Sequence, residues 1–171
     1  MKILKKGKED LVAYSLFFLL LVVLSIYDFK YKAVPDYLLL FAFVLSFFIT
    51  KYSFETALLN AFTVSGAFVI LNFIVTFYIQ NIKARILKDE SLKTAQALGE
   101  GDIPLIASFA VILGLYEAFF TIFLAAFIAI FHYFYIKYKK QETQIPFIPS
   151  LAVAFLLEFT FNISNIFKDY F

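Results

Sequence analysis

The stretch LVAYSLFFLLLVVLSIYDFKYKAVPD, residues 11–36, decides the fold. From Leu11 to Tyr27 it carries no charge, only apolar, aromatic and hydroxyl side chains. An apolar run of about 17–25 residues is the length at which an α-helix crosses the hydrocarbon core of a bilayer. Asp28, Lys30 and Lys32 follow at once, and then Pro35, which removes a backbone donor and biases the preceding residue away from helix. The stretch therefore reads as a membrane helix, a short polar connection and the start of a second helix.

Working outward, the same alternation repeats along the chain. The second span is expected over about Val34 to Thr50, and the third from about Thr56 to Ile79 after the break KYSFE. A polar stretch from Gln80 to Gly101 follows. From Ile103 to Tyr138 the sequence is apolar for longer than one crossing needs, and Gly114-Leu115-Tyr116-Glu117 is the natural place to fold it into two. The last span begins near Pro146 and ends near Phe167. The fold class predicted is an all-α polytopic membrane protein of about six transmembrane helices. Within the polar stretch, NIKARILKDESLKTAQAL has apolar residues at Ile82, Ile86, Leu92 and Ala95 with cations between. That spacing fits an amphipathic helix on the membrane surface, between the third and fourth spans, and fits a solvated loop equally well.

Composition agrees. Of the 171 residues 63% are hydrophobic and 16% charged, and the mean hydropathy is +0.86, far above that of a soluble domain of this size. The lipid bilayer is thus one expected partner. The formal charge of +2 is small, and the lysines flank apolar runs instead of forming one basic face, so no nucleic-acid partner is expected. Without cysteine, disulfides and thiolate metal sites are excluded, and one histidine leaves little material for a zinc protease or a Ser-His-Asp site. Neither cofactor nor metal is expected.

The four lysines before the first run suggest a signal peptide, but the run ends in SIYDFK with no small-residue cleavage site, so an uncleaved first helix is expected. With six crossings, the odd-numbered connections hold Lys30, Lys32, Lys83, Arg85, Lys88, Lys93, Lys137, Lys139 and Lys140. The other side holds Lys2, Lys5, Lys6, Lys8, Lys51 and Lys168. The majority favours cytoplasmic odd connections, while the N-terminal lysines argue the opposite way. Either orientation leaves Asp28 and Asp102 on the same face.

Those two aspartates carry the chemistry. Each stands where an apolar run meets a polar stretch, and Asp102 ends the string GEGD, Gly99 to Asp102. Two carboxylates brought face to face share a proton, which lets one activate water while the other protonates a departing group. The glycines at 99 and 101 leave room for backbone or substrate to come close. The pattern points to an intramembrane aspartyl protease. Read blandly, Asp102 is an N-cap ahead of Ile103-Pro104, and Asp28 is a boundary charge.

Three strings now support a comparison: DFKYKAVPD, Asp28 to Asp36; GEGDIPLIASFAVILG, Gly99 to Gly114; and IPFIPSLA, Ile145 to Ala152. In this order they resemble the type IV prepilin peptidases, six-helix members of the GxGD aspartyl proteases. The resemblance implies that Asp28 and Asp102 are the catalytic pair, in a single transmembrane peptidase domain over residues 1–171. It implies a multi-pass protein of the cytoplasmic membrane with its active site facing the cytoplasm. The implied partner is the short basic leader of a prepilin or pseudopilin, ending in glycine, with the hydrophobic helix that follows. Gly99, Gly101, Pro35, Asp36, Pro146 and Phe147 are expected to shape the site or contact substrate, although Asp36 after Pro35 also reads as a helix cap. Many members carry a cysteine-containing N-terminal region linked to methyl transfer; it is not seen here, and methylation is not expected. Many also have lysine two residues after the GxGD aspartate, where this chain has Pro104.

Other polar residues have simpler readings. Glu158 falls near the middle of the last span, as a functional carboxyl or as the mark of an early helix end. Ser65, Asn72 and Thr76 share a face of the third helix and suit hydrogen bonding between helices. His132 reads as a packed or interfacial residue. Two alternatives stand beside the prepilin peptidase: a presenilin-like or signal-peptide-peptidase-like protease, whose PAL motif would fall where this chain has IPFIPSLA, and a proton-coupled transporter using Asp28, Asp102 and Glu158 as relay groups. Transporters usually show repeated halves, and none is evident.

Overall fold

The computed structural model describes residues 2–88, 90, 99, 101–140 and 146–170, with side chains over 12–88, 90, 99, 101–134 and 146–168. All regular structure among the described residues is helical. Helix α1 (Lys2–Tyr31) runs for 30 residues. It stops at Lys32, which takes the left-handed conformation (φ 51°) and closes the last turn by donating its N–H to the Asp28 carbonyl at 2.9 Å. Pro35, with φ −62° and ψ 130°, is the extended residue that opens α2 (Asp36–Ile49). Ser53 caps α3 (Phe54–Phe77) by accepting from the Thr56 N–H at 3.3 Å. A π-helical turn, Tyr78–Lys83, and the short α4 (Ala84–Leu87) continue α3 without a break to Lys88.

Helix α5 (Asp102–Leu113) lies at the centre of the bundle, with every residue from Leu105 to Leu113 buried. It packs against α2, α3, α6 (Leu115–Lys140) and α7 (Ile148–Phe161). Small residues allow the close approach to α3: Ala57 and Ala61 face Ala107 and Val111. On the other side aromatic rings fill the space. Phe109 stacks on Phe155 at a centroid distance of 4.4 Å, and Phe17 meets Phe155 at 5.5 Å. Apolar side chains on the outer faces, such as Leu19, Phe62, Phe73 and Phe127, stay exposed, as expected where lipid is the solvent.

Three helical stretches have the length and composition to cross a membrane: Val12–Tyr31, Phe54–Leu87 and Leu115–Phe134. The other three apolar helices, α2, α5 and α7, have 14, 12 and 14 residues. At 1.5 Å per residue they rise only about 18–21 Å, against about 30 Å for the hydrocarbon core. Among the described residues there are thus six apolar helices, three of them shorter than a full crossing.

One boundary falls within the expected stretch and another differs from it. The break between the fourth and fifth apolar helices falls on Gly114 itself, at φ 107°, where its N–H still bonds to Ala110 O. The last span is not continuous to Phe167: Asn162 turns left-handed (φ 50°) and separates α7 from α8 (Ile163–Tyr170). The expected surface helix between the third and fourth spans is replaced, over Asn81–Leu87, by the extension of α3. Of the remainder, residues 89 and 91–98, Leu92 and Ala95 among them, lie outside the described residues.

Candidate active site

Asp28 points inward because it continues the buried stripe of α1. Phe17, Leu20, Leu21 and Leu24 bury the same helix face, and a residue four positions further falls on it again. Asp28 is 8% exposed. Oδ2 accepts a hydrogen bond from the N–H of Ile148 at 2.9 Å. That donor is free because Ile148 opens α7, with Pro149 in the first turn, and first-turn N–H groups have no partner within their own helix.

Asp102 is the first residue of α5 and is 7% exposed. Its N–H closes a turn on Gly99 O at 3.2 Å. Gly101 precedes the helix without any side-chain cap, so Asp102 is a first-turn residue and not the N-cap that the bland reading assigned to it. A methyl group at Gly99 would lie 3.3 Å from Asp102 Oδ2. Glycine here keeps one side of the carboxylate clear.

The two carboxylates, distant in sequence, line a single cavity of about 450 Å³ together with Lys32, Ala33, Val34, Asp36, Gly99, Gly101, Phe147 and Ile148. The α1–α2 connection and the N-termini of α2, α5 and α7 all open on this end of the bundle. Three positive helix ends thus converge on a cavity that holds carboxylates.

The other residues singled out from sequence divide into two groups. Asp36 is exposed and lines the cavity from the first turn of α2. Phe147 also lines it. Pro35 and Pro146 do not contribute to the wall; Pro35 sets the start of α2, and Pro146 is buried just ahead of Phe147. Glu100 lies outside the described residues. Among the contributors not anticipated are the backbone N–H of Ile148 and Lys32. The prolines at 146 and 149 were the available signal for the first, because they mark where a helix must begin with unpaired N–H groups.

Glu158 sits elsewhere. It lines a second cavity with Tyr14, Lys51, Glu117, Asn162 and Asn165, built from the α2–α3 connection and the α5–α6 and α7–α8 junctions. It is 2% exposed, and its carboxylate accepts from the Ser164 N–H at 3.0 Å and from the Ser164 hydroxyl. This cap on α8 is why the last span ends early. Ser65 donates to Ala61 O and Thr76 to Asn72 Oδ1, both within α3. The His132 ring meets Phe29 edge-on at 5.9 Å, the packed position expected of it.

Among the described residues, then, the chain is a helical, apolar bundle in which two carboxylates line one cavity. A family model described as the type IV leader peptidase family matches residues 15–134, a range that includes both aspartates. The chain belongs to that family, and is a peptidase of the membrane. No curated protein and no solved structure matches it.

Proposed function

We propose that the protein is an aspartyl endopeptidase of the cytoplasmic membrane that removes the short basic leader from type IV prepilins or prepilin-like proteins, with Asp28 and Asp102 as its catalytic pair and residues 1–171 as one peptidase domain. The observation that carries this reading is that the two carboxylates line one cavity. One carboxylate takes a proton from water as the oxygen attacks the scissile carbonyl, while the other donates a proton to the carbonyl oxygen. Collapse of the tetrahedral intermediate breaks the C–N bond, and the pair returns a proton to the departing amine. The proton belongs to the pair, so neither residue is assigned permanently as acid or base. The hydrogen bond from Ile148 holds one oxygen of Asp28. Gly99 and Gly101 offer unhindered backbone beside the extended segment that is cut. The odd-numbered connections, and the cavity between them, face the cytoplasm, where the leader lies.

The transporter alternative needs Glu158 in line with the two aspartates; Glu158 lines a different cavity and is held by Ser164. The test is cleavage of a prepilin by membranes containing this protein. Asp28→Asn and Asp102→Asn are each expected to lower the rate by at least about 10²–10⁴, the share of general acid–base catalysis, while Glu117→Gln at the far end retains it. Processing at the normal rate by both aspartate variants would exclude the mechanism.

A further inference from the structure

We propose that the groove between the N-terminal ends of α2 and α5 is where the apolar helix of the substrate docks, so that the scissile segment reaches the aspartates sideways from the lipid. The inference rests on the peptidase reading above, which supplies the occupant: a cationic leader joined directly to an apolar helix. The groove, of about 540 Å³, is lined by Asp36, Tyr37, Leu39, Leu40, Gly101 and Pro104. Asp36 and Gly101 also line the aspartate cavity, so the two spaces meet at these residues. The aspartate cavity thereby adjoins an apolar surface.

That surface has the periodicity of a helix-docking face. Tyr37 and Leu40 are 67% and 61% exposed, and with Phe41, Val44 and Phe48 they form an exposed stripe along α2 at helical spacing. Beneath them Leu39 is buried. Gly101 adds no side chain at the junction; a methyl group there would make an ordinary contact with Leu39 Cδ1 at 3.4 Å. The chemistry of the two spaces matches the occupant. The apolar stripe suits the mature helix, the buried carboxylates lie where the chain must be cut, and the exposed Asp36 carboxylate, shared by both spaces, meets the cations of the leader. A lipid acyl chain matches the stripe alone.

The experiment is site-specific photocrosslinking in vesicles of phosphatidylethanolamine and phosphatidylglycerol. A benzophenone-bearing residue is placed in turn at Tyr37, Leu40, Phe73 and Phe127 in an Asp102→Asn background, which retains the substrate. The last two sites are exposed on α3 and α6. The probe is a synthetic peptide with a lysine-rich leader ending in glycine, followed by an apolar helix of about 20 residues. Crosslinking at 37 and 40 is expected to exceed that at 73 and 127 at least fivefold. In parallel, Asp36→Asn should raise KM about two- to fivefold for this peptide, the range of an exposed ion pair, and leave KM unchanged for a peptide whose leader lysines are replaced by glutamine. Cleavage by the unaltered protein with even crosslinking, or with crosslinking concentrated at 73 or 127, overturns the docking proposal and leaves the peptidase reading standing. Preferential crosslinking at 37 and 40 without any cleavage supports the groove and overturns the peptidase reading. Neither cleavage nor preference overturns both.

Discussion

Replacing Gly114 by alanine puts a methyl group where the fold has no place for one. At φ 107° an L-residue is in a sparsely populated region, and holding it there costs about 1–3 kcal/mol. The new Cβ would also lie 2.5 Å from the Tyr52 hydroxyl and 3.0 Å from Cζ of the same ring. Tyr52 must swing away, breaking its 2.8 Å bond to Leu113 O, which contributes about 0.5–1.5 kcal/mol. Together these give a loss of about 2–4 kcal/mol, a factor of roughly 30 to 900 in the folding equilibrium. Reversible unfolding in mixed micelles, followed by circular dichroism, measures it. Gly66→Ala is the internal control: Gly66 lies inside α3 and a methyl group there has nothing within 4 Å, so this variant should be neutral or up to about 1 kcal/mol more stable. Tyr52→Phe should account for the hydrogen bond alone, and Gly114→Ala should be less damaging beside Tyr52→Ala, because the clash is then gone. Equal stability of the Gly114 and Gly66 variants would refute both the strain and the contact.

At Asp28, folding and catalysis should separate. Asparagine still offers an oxygen to the Ile148 N–H and should fold like the parent while losing cleavage, whereas alanine strands that donor and should lose about 1–3 kcal/mol as well; equal stability of the two variants would show that the bond contributes nothing. Gly99→Ala crowds Asp102 Oδ2 at 3.3 Å and is expected to slow prepilin cleavage by up to about tenfold with stability unchanged, a shift of tenths of an ångström being smaller than the displacement that costs about 10²; an unaltered rate would mean that the carboxylate has room to move. Glu158→Ala removes the acceptor for Ser164 and should lower stability by about 1–3 kcal/mol without changing the cleavage rate of the folded fraction. A rate loss with no stability loss would give Glu158 a part in the chemistry.

The membrane fold was legible in the chain because its signal is local. Each apolar run carries its own hydropathy, and polar breaks such as DFKYKAVPD and KYSFE mark helix ends whatever packs nearby. The candidacy of Asp28 and Asp102 was legible for the same reason, since a charge is conspicuous at the edge of an uncharged run. Even the inward aim of Asp28 could be read from the stripe that starts at Phe17. What hydropathy could not give was helix length against the bilayer. Whether α2, α5 and α7 reach across depends on where Gly101, Gly114 and Asn162 turn the backbone, and Glu158 sets the last of these turns only by bonding to Ser164, beyond the helix that carries it. The convergence of the two aspartates, the N–H that Ile148 lends to Asp28, and the junction of cavity and groove at Asp36 and Gly101 are likewise tertiary. Each arises from contacts between segments far apart in the chain, and a one-dimensional pattern reports the periodicity of a single helix but not which neighbour it meets.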